Sequence, residues 1–389
     1  MIIQHKLHKW IKTNLSNLDP FEYLERIDWD FKEANTQYLT HTFHSYPARF
    51  IPQIPRTFIE IFTQRGDVVL DPFCGCGTTL VESRLLGRNS IGNDLNPLAV
   101  LISKVKTTIV PNHELIQLEN FVKQLEKEVK LIKSPKIVPK LPNRKLSSRF
   151  TQKMIAELQL IREKIDESLF ESERIYDIAR VALSSTIMSI IERENGNNVY
   201  EIFSRKIFLM TKTLRKFSRY ADKTMFVKVL EGDARWLEVS NNSVDLIVTS
   251  PPYVNALDYY RIHMYSMFWL GINFWKFRND EIGAHSHHIN NRFRLLSEYL
   301  GDMLRAMIEM NRVLKKGKIC AIVVGNSTVE YEIVESYKHF ANMSNKIGFE
   351  VKKILHRNID KNSKYFSMGN IDDEYIVVLR KVKDVDVSS

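Results

Sequence analysis

The chain has 389 residues, of which 44% are hydrophobic, and its 56 Lys and Arg exceed its 46 Asp and Glu, which gives a net charge of +10. This length and apolar content allow a large buried core, in one domain with an insertion or in two domains. The positive charge favours a polyanionic partner, although a basic protein without such a partner has the same composition.

Cysteine usage and hydropathy exclude several classes of protein. The three cysteines, Cys74, Cys76 and Cys320, are too few for a disulfide framework, and no CxxC pair indicates a zinc site. Neither a signal peptide nor a run of ~18 apolar residues is found. We therefore expect a soluble protein of a reducing, cytoplasmic compartment, without a membrane contact or a bound metal.

Strands and helices alternate at short spacing in the first third of the chain, after an aromatic-rich N-terminal extension over 1–40. Apolar periodicity predicts, in order, a helix at 51–64, a strand at 67–71, a helix at 78–86, a strand at 90–92 and a helix at 98–106. This alternation predicts a parallel α/β sheet.

The alternation then stops, and residues 111–225 have apolar side chains at helical spacing, which predicts a helical insertion. Strands resume at 226–230, 244–249 and 319–324, and the final antiparallel hairpin is predicted at 349–355 and 375–379. The predicted organisation is thus an N-terminal extension (1–40), an α/β domain (41–110 and 226–381) and the insertion (111–225).

The first motif that carries chemistry is DPFCGCGTT, residues 71–79, in which an acid ends a buried strand and a Gly-rich turn opens a helix. Glycine lets the backbone approach a ligand, and such sheets bind ligands beyond the carboxyl ends of their strands. An acid here would repel a phosphate, so a ligand with an ammonium or hydroxyl groups is favoured. Asp94, at the end of the second strand, lies where an acid can bind ribose hydroxyls. The alternative is a structural turn and a surface Asp94.

The second motif is SPPY, Ser250 to Tyr253, which follows the strand at 244–249. The two prolines fix φ and remove two N–H donors, so that carbonyl oxygens here can accept hydrogen bonds from a ligand amine. The ring of Tyr253 could stack on a base. The alternative is a Pro-rich strand end with a core tyrosine.

Together, DPFCGCGTT and SPPY resemble the amino-methyltransferase family of DNA modification enzymes. In that family DPFxGxGTT is the loop that binds S-adenosylmethionine, and [DNS]PP[YF] is the catalytic motif. Segments 44–50 (HSYPARF), 92–97 (GNDLNP) and 231–234 (EGDA) match further segments of the family in the same order. The resemblance covers roughly 40–110 and 226–330.

This resemblance implies a Rossmann-like methyltransferase fold, a mostly parallel twisted sheet with a final antiparallel hairpin and a helical insertion. It implies a S-adenosylmethionine site in which Asp94 binds the ribose and Asp233 the adenine amine. The implied cofactor-binding residues are His44, Tyr46, Pro47, Asp71, Phe73, Gly75, Cys76, Gly77, Asp94, Leu95, Asn96, Asp233 and Ala234. The implied catalytic residues are Ser250, Pro251, Pro252 and Tyr253.

The implied reaction is methylation of an exocyclic base amine in double-stranded DNA, with the target base flipped out of the helix. Ser250 and the Pro251 carbonyl would accept the hydrogens of the amine, and no catalytic cysteine is expected, so Cys74 and Cys76 are interpreted as structural. A leading serine favours cytosine N4, with adenine N6 as the alternative. RNA or protein-glutamine N-methylation and a non-catalytic regulator are further alternatives.

Contacts with DNA are predicted from basic segments. The run 130–153 contains eight basic residues and no acid, which favours phosphate contacts over a solvated helix face. Another candidate is 255–294, which contains Arg261 and three histidines of a loop that we expect near DNA. The predicted DNA-binding residues are Lys136, Lys140, Arg144, Lys145 and Arg261. A cognate restriction endonuclease is a further expected partner.

Overall fold

The computed structural model describes residues 19–132, 134–135, 139–142, 149–168, 170, 172–192, 198–254, 258–283, 292–329, 332–359 and 373–385. Its centre is a seven-stranded sheet in the order β3-β2-β1-β4-β5-β9-β8. The strands are β1 (Val68–Asp71), β2 (Asn89–Asp94), β3 (Val227–Glu231), β4 (Val244–Thr249), β5 (Leu314–Gly325), β8 (Phe349–Asn358) and β9 (Asp373–Lys381). Strands β6 (Ser327–Val329) and β7 (Glu332–Val334) form a separate hairpin.

Strands β1 to β5 run parallel to one another, whereas β9 is antiparallel to both β5 and β8. The predicted Rossmann-like methyltransferase fold with a final antiparallel hairpin is thereby confirmed. Strand β5 begins at Leu314 rather than at the predicted Ile319. Its polar start, KKGK, hid the strand, because Lys315 and Lys318 lie near the Asp245 carboxylate, 2.8 and 3.4 Å away, at the amino end of β5.

Both faces of the sheet are covered, which explains the uninterrupted apolar run from Leu246 to Val248 in β4. Ile247 belongs to one hydrophobic cluster, and its neighbours Leu246 and Val248 belong to the cluster on the opposite face. Because successive strand residues point to opposite faces, a strand buried on both sides has no polar alternation.

Twelve α-helices are found in the described residues, with a 3-10 turn at Leu39–Thr42. In chain order they are α1 (Pro20–Glu25), α2 (Gln53–Phe62), α3 (Thr78–Leu85), α4 (Pro97–Thr107), α5 (Asn112–Leu131), α6 (Gln152–Glu167), α7 (Glu173–Glu192), α8 (Val199–Tyr220), α9 (Tyr259–Trp269), α10 (Phe274–Asp280), α11 (Arg292–Val313) and α12 (Ser336–Lys346). Among these helices, none combines the length and apolar content that crossing a bilayer requires.

The helical insertion contains α5 to α8 and packs directly onto the α/β domain. Its apolar side chains share one hydrophobic cluster with those of α4 and α9. The rings of Phe150 and Tyr265 stack with centroids 5.4 Å apart, and the Ser184 hydroxyl lies 2.8 Å from the His44 ring. The insertion therefore supports the segment that precedes β1; its predicted boundaries remain a prediction.

The described part of the N-terminal extension is also packed. Tyr23, Leu24 and Trp29 are buried, and Trp29 stacks on Phe58 of α2 with ring centroids 5.4 Å apart. The buried Glu82 carboxylate of α3 holds two preceding elements, because it contacts His41 of the 3-10 turn at 2.7 Å and Arg56 of α2 at 3.0 Å.

Candidate active site

A cleft of ≈ 790 Å³ lies at the carboxyl ends of β1, β2, β3 and β4. The strand order reverses between β1 and β4, and open α/β sheets bind ligands at such a point. Of the seventeen predicted site residues, the cleft is lined by Tyr46, Phe73, Gly75, Cys76, Asp94, Leu95, Asn96, Asp233, Ala234, Ser250 and Pro252. Four strand ends and one preceding segment thus deliver these side chains to one cavity.

The Gly-rich turn is shaped by close contacts that exclude larger residues. Gly75 has φ = 48°, and a Cβ there would lie 3.3 Å from the Tyr46 ring. Its N–H donates to Asp94 Oδ2 at 2.7 Å. Gly77 has φ = 78° and lies against α4, where a Cβ would lie 2.8 Å from the Ser103 hydroxyl. Gly75 therefore forms the wall of the cleft, and Gly77 allows the helix behind it to pack.

Asp71 lies behind this wall, with a fully buried carboxylate. It accepts hydrogen bonds from the Thr79 and Thr249 hydroxyls, each at 2.7 Å, and from the Phe73 N–H at 3.2 Å. Burial raises the pKa of Asp71 to about 7, although these hydrogen bonds oppose the rise. In this conformation Asp71 joins the ends of β1 and β4 rather than facing the cleft.

Asp94 does face the cleft, at the end of β2. Besides Gly75, the Asn96 N–H donates to its carboxylate at 2.9 Å. Burial raises the pKa of Asp94 to about 6, and the two backbone hydrogen bonds limit that rise. Asn96 in turn begins α4, since its Oδ1 accepts from the Leu98 N–H at 2.9 Å. These contacts hold the acid in place at the cavity surface.

Asp233 lines the opposite part of the cleft, after β3. Its carboxylate accepts two hydrogen bonds from Arg235 Nε, both at 2.9 Å, and Arg235 also binds Asp302 at 2.9 Å. This arrangement fixes the direction of the Asp233 carboxylate.

Glu281 is a cleft residue that the sequence did not predict. It follows α10, its Oε1 accepts from the Tyr259 N–H at 2.7 Å, and its Oε2 is buried with no hydrogen-bond partner in the described part of the chain. Burial raises the pKa of Glu281 to about 8, and the nearby negative charges of Asp258 and Asp94 raise it further. No motif marks this residue, because tertiary packing alone brings it close to Asp94 in the cleft.

The SPPY motif follows β4 and divides between the cleft and the core. Ser250 and Pro252 line the cleft, whereas Pro251 and Tyr253 do not, and the Tyr253 side chain is buried. The Ser250 hydroxyl lies 3.4 Å from the Tyr253 hydroxyl. The Tyr299 hydroxyl donates to the Pro252 carbonyl at 3.0 Å, so the hydrogen bond to this carbonyl stabilises the backbone of the motif.

The segment around Tyr46 separates this cleft from a second one. Tyr46, Ala48, Arg49 and Phe50 line both cavities. His44 lines only the second cleft. Burial lowers the pKa of His44 well below the ordinary value, so its ring is neutral. Pro47 lines neither cleft. The second cleft also contains the cationic side chains Lys32, Arg49, Lys206 and Arg357.

The predicted DNA-binding residues are only partly described. Lys140 and Arg261 are exposed, and Arg261 lies 3.4 Å from the Asp258 carboxylate. Lys136, Arg144 and Lys145 and the three histidines, His285, His287 and His288, lie outside the described residues. Within the part of the chain that is described, no group of His, Cys, Asp and Glu could hold a metal ion.

Comparison with known proteins supports the same family. The chain is 28% identical to the type II methyltransferase M.MvaI of Kocuria varians over 57% of this chain and 55% of that protein. It is 22% identical to the type II methyltransferase M.MjaII of Methanocaldococcus jannaschii over 80% of this chain and 77% of that protein. It thus spans about half of the first relative and about three quarters of the second. A solved methyltransferase of Methanosarcina mazei is 12% identical over 84% of this chain and 98% of that one, with a TM-score of 0.36.

The family model described as DNA methylase, of the N6 and N4 type, matches residues 3–105 and 244–388, well over half of the chain. Most residues that line the cleft lie within these matches. Asp233 and its neighbours lie in the stretch between them, which also contains the helical insertion and β3. The chain therefore belongs to the N6/N4 DNA methylase family.

Proposed function

We propose that this DNA methyltransferase transfers a methyl group from S-adenosylmethionine to the exocyclic N4 amine of cytosine in double-stranded DNA. One observation carries the proposal: the Ser250 hydroxyl, Asp94 and Asp233 line one cleft at the ends of three different strands. A hydrogen-bond acceptor for the target amine thus shares a cavity with two acids suited to the cofactor.

The residues of the cleft fit S-adenosylmethionine, which supplies an electrophilic methyl group when bound. Asp94, Asp233 and Glu281 are hydrogen-bond acceptors that suit a ligand with hydroxyl, amine and cationic groups. The buried Oε2 of Glu281, which has no partner among the described residues, calls for a donor of this kind. By position, Asp94 binds the ribose hydroxyls and Asp233 the adenine amine, with Tyr46, Phe73, Gly75, Cys76, Leu95, Asn96 and Ala234 as the walls.

The chain then has to activate a weak nucleophile. The lone pair of an exocyclic amine is shared with the ring of the base, and acceptors for its hydrogens turn the nitrogen toward tetrahedral geometry. Ser250, which lines the cleft, and the Pro251 carbonyl would accept these hydrogens and turn the lone pair toward the cofactor site. Bound S-adenosylmethionine would supply the methyl group, with S-adenosylhomocysteine as the leaving group and a proton released from the amine. Orientation and electrostatic stabilisation supply most of the rate enhancement. The target base has to leave the DNA helix to reach the cleft.

Access for DNA is supported by the second cleft, where Lys32 and Lys206 lie across the Tyr46 to Phe50 segment from the first. Lys and Arg bind DNA phosphates through a charge attraction that does not depend on sequence. Since M.MvaI and M.MjaII are named type II methyltransferases, a restriction endonuclease in the cytoplasm of the same bacterial or archaeal cell is the proposed partner.

The choice of cytosine N4 depends on Ser250. A hydroxyl is shorter than a carboxylate and accepts a hydrogen bond less strongly, and serine leads the motif most often in the cytosine enzymes that this chain resembles. The alternative product is N6-methyladenine. Methylation of RNA or of a protein amine is a more distant alternative.

The test incubates the purified chain and S-adenosylmethionine with unmodified genomic DNA, and identifies the methylated nucleosides by mass spectrometry. N4-methylcytosine is expected, and N6-methyladenine alone would contradict the cytosine assignment. 5-Methylcytosine would contradict the whole mechanism, because that product requires attack by carbon. Ser250→Ala is the matched variant, which should lower turnover far more than it lowers cofactor affinity.

A further inference from the structure

We propose that Glu374 is a positioning residue that acts through Tyr253 to hold the Ser250 hydroxyl with its oxygen toward the target amine. The inference rests on the proposed function, in which Ser250 accepts a hydrogen of that amine. It concerns a residue far from both motifs in the sequence, at the start of β9.

A continuous chain of hydrogen bonds leads from Ser250 into the core. The Ser250 hydroxyl lies 3.4 Å from the Tyr253 hydroxyl, which donates to Glu374 Oε1 at 2.8 Å. Glu374 Oε2 accepts from Arg357 Nη1 at 2.9 Å, and these two residues are directly opposite each other on β9 and β8. Tyr253, Arg357 and Glu374 are only 7%, 7% and 4% exposed, so water competes little for these contacts.

The number of hydrogens decides the direction of each bond. An ionised carboxylate only accepts, and a phenol has one hydrogen, which Tyr253 gives to Glu374. The Tyr253 oxygen can therefore only accept, and the hydrogen it receives is that of Ser250. Burial, followed by the negative charge of Glu374, raises the pKa of Tyr253 well above its ordinary value, which keeps the phenol protonated. The Arg357 guanidinium forms an ion pair with the other oxygen of Glu374, at 2.9 Å.

The consequence for Ser250 is that its hydrogen points into the core and its lone pairs point away from it. A serine hydroxyl without such a partner rotates, and with its hydrogen toward the cleft it would face an amine that also donates. The motifs that begin with Asp or Asn do not have this difficulty, because their acceptor oxygens carry no hydrogen. The 3.4 Å separation is longer than usual for two hydroxyl groups, as is common for catalytic hydrogen bonds before the substrate binds.

Two variants test this inference by separating rate from affinity. Tyr253→Phe keeps the buried ring and removes only the hydroxyl group, and Glu374→Gln removes the charge that holds the phenol hydrogen. Each should lower the single-turnover rate of methyl transfer at least ~10-fold, about 1.4 kcal/mol of barrier. Affinities for S-adenosylmethionine and for DNA, measured by calorimetry and by anisotropy, should stay within about two-fold.

The double variant should be no slower than the slower single variant, because both changes interrupt the same chain of bonds. Glu114→Gln is the control, since Glu114 is also a buried carboxylate paired with an arginine, Arg174, but on the insertion. It should lower thermal stability without changing the rate. Thermal melts of all variants identify any loss of folding, and Tyr253→Phe retains the packing of the ring even if Glu374→Gln does not.

A Tyr253→Phe variant that transfers methyl groups at the wild-type rate would overturn the inference, and so would losses that multiply in the double variant. A wild-type rate in Ser250→Ala would instead overturn the role of Ser250 in the proposed function. A slow Ser250→Ala with a fast Tyr253→Phe would leave the proposed function intact and reject the role of Glu374.

Discussion

Replacing Glu281 with glutamine should stabilise the free protein and weaken its binding of S-adenosylmethionine, because the change removes a buried ionisable group but keeps the shape. Burial raises the pKa of this carboxyl from 4.5 to about 8. The folded chain therefore holds this proton more tightly than the unfolded chain does. The resulting stability is complete below about pH 4.5 and is lost as the pH rises through about 8. Glutamine does not titrate and avoids this loss.

The magnitude follows from the shift. A rise of about three to four pKa units corresponds to at most ~5 kcal/mol, at ~1.36 kcal/mol per unit. Because side-chain relaxation and entering water reduce this value, we expect Glu281→Gln to gain ~1–2 kcal/mol relative to the wild type between pH 5 and pH 8, a few degrees of melting temperature.

Binding should change in the opposite sense. A cationic ligand favours the ionised carboxyl, so the wild type should release a proton on binding, and its affinity should rise up to ~10-fold per pH unit below the pKa of Glu281. Asp71 and Asp94 titrate at about 7 and about 6, which makes the interval from pH 7 to pH 8 the most specific for Glu281. Asp258 and Tyr259 also face this carboxyl and remain in the variant.

Calorimetry in two buffers with different ionisation enthalpies counts the released proton, and thermal melts from pH 5 to pH 8 follow the stability. S-Adenosylhomocysteine, which lacks the sulfonium charge, should show the smaller pH dependence. The exposed Glu238→Gln is the control and should change neither measurement. If Glu281→Gln keeps the wild-type dependence of affinity on pH and gains no stability at pH 8, the reasoning is refuted.

Three further predictions concern the cofactor, the fold and DNA. Asp94→Asn should lower the affinity for S-adenosylmethionine ~10-fold or more by calorimetry, since a charge-assisted hydrogen bond contributes ~1.5–3 kcal/mol, and an unchanged affinity would contradict its ribose role. Glu82→Ala should lower the free energy of unfolding by ~3–5 kcal/mol in urea titrations, because Arg56 loses a buried partner; a loss below 1 kcal/mol would count against this. Alanine at four basic positions of the run 130–153 should flatten the plot of log DNA affinity against log salt concentration by up to ~0.9 per lost phosphate contact, with the site preference kept. A shifted site preference at constant slope would mean that these residues contact bases. These four positions are Lys136, Lys140, Arg144 and Lys145.

The fold was predictable where local patterns and tertiary burial agree. Strand β4 was predicted with its observed ends, because an apolar run buried on both faces ends sharply at the SPPY turn. The start of β5 was not predicted, because Lys315 and Lys318 interrupt its apolar pattern while their ammonium groups bind Asp245. Local composition describes the middle of a strand better than a strand end at which charged side chains pair.

The candidate site shows the same limit. Motifs identified Asp94, Asp233 and Ser250, which sit directly at strand ends, and the cleft contains all three. They also pointed to Asp71, whose carboxylate binds Thr79 and Thr249 behind the wall, a distinction that depends on side-chain direction. Glu374 contacts a tyrosine 121 positions away in the sequence, so no local pattern marks it.

The direction of β9 has a consequence for how the site is completed. The strand has nine residues, and at ~3.3 Å per residue its two ends are almost 30 Å apart. Because β9 runs against β5, its first residues lie opposite Gly325, where β5 ends; a strand parallel to β5 would place them at the far side of the sheet. The ribosome makes this strand after every other strand of the described sheet, when the motifs of the first half have already emerged. If Glu374 orients Ser250 as proposed, the nascent chain cannot modify DNA efficiently until its last strand has joined the sheet.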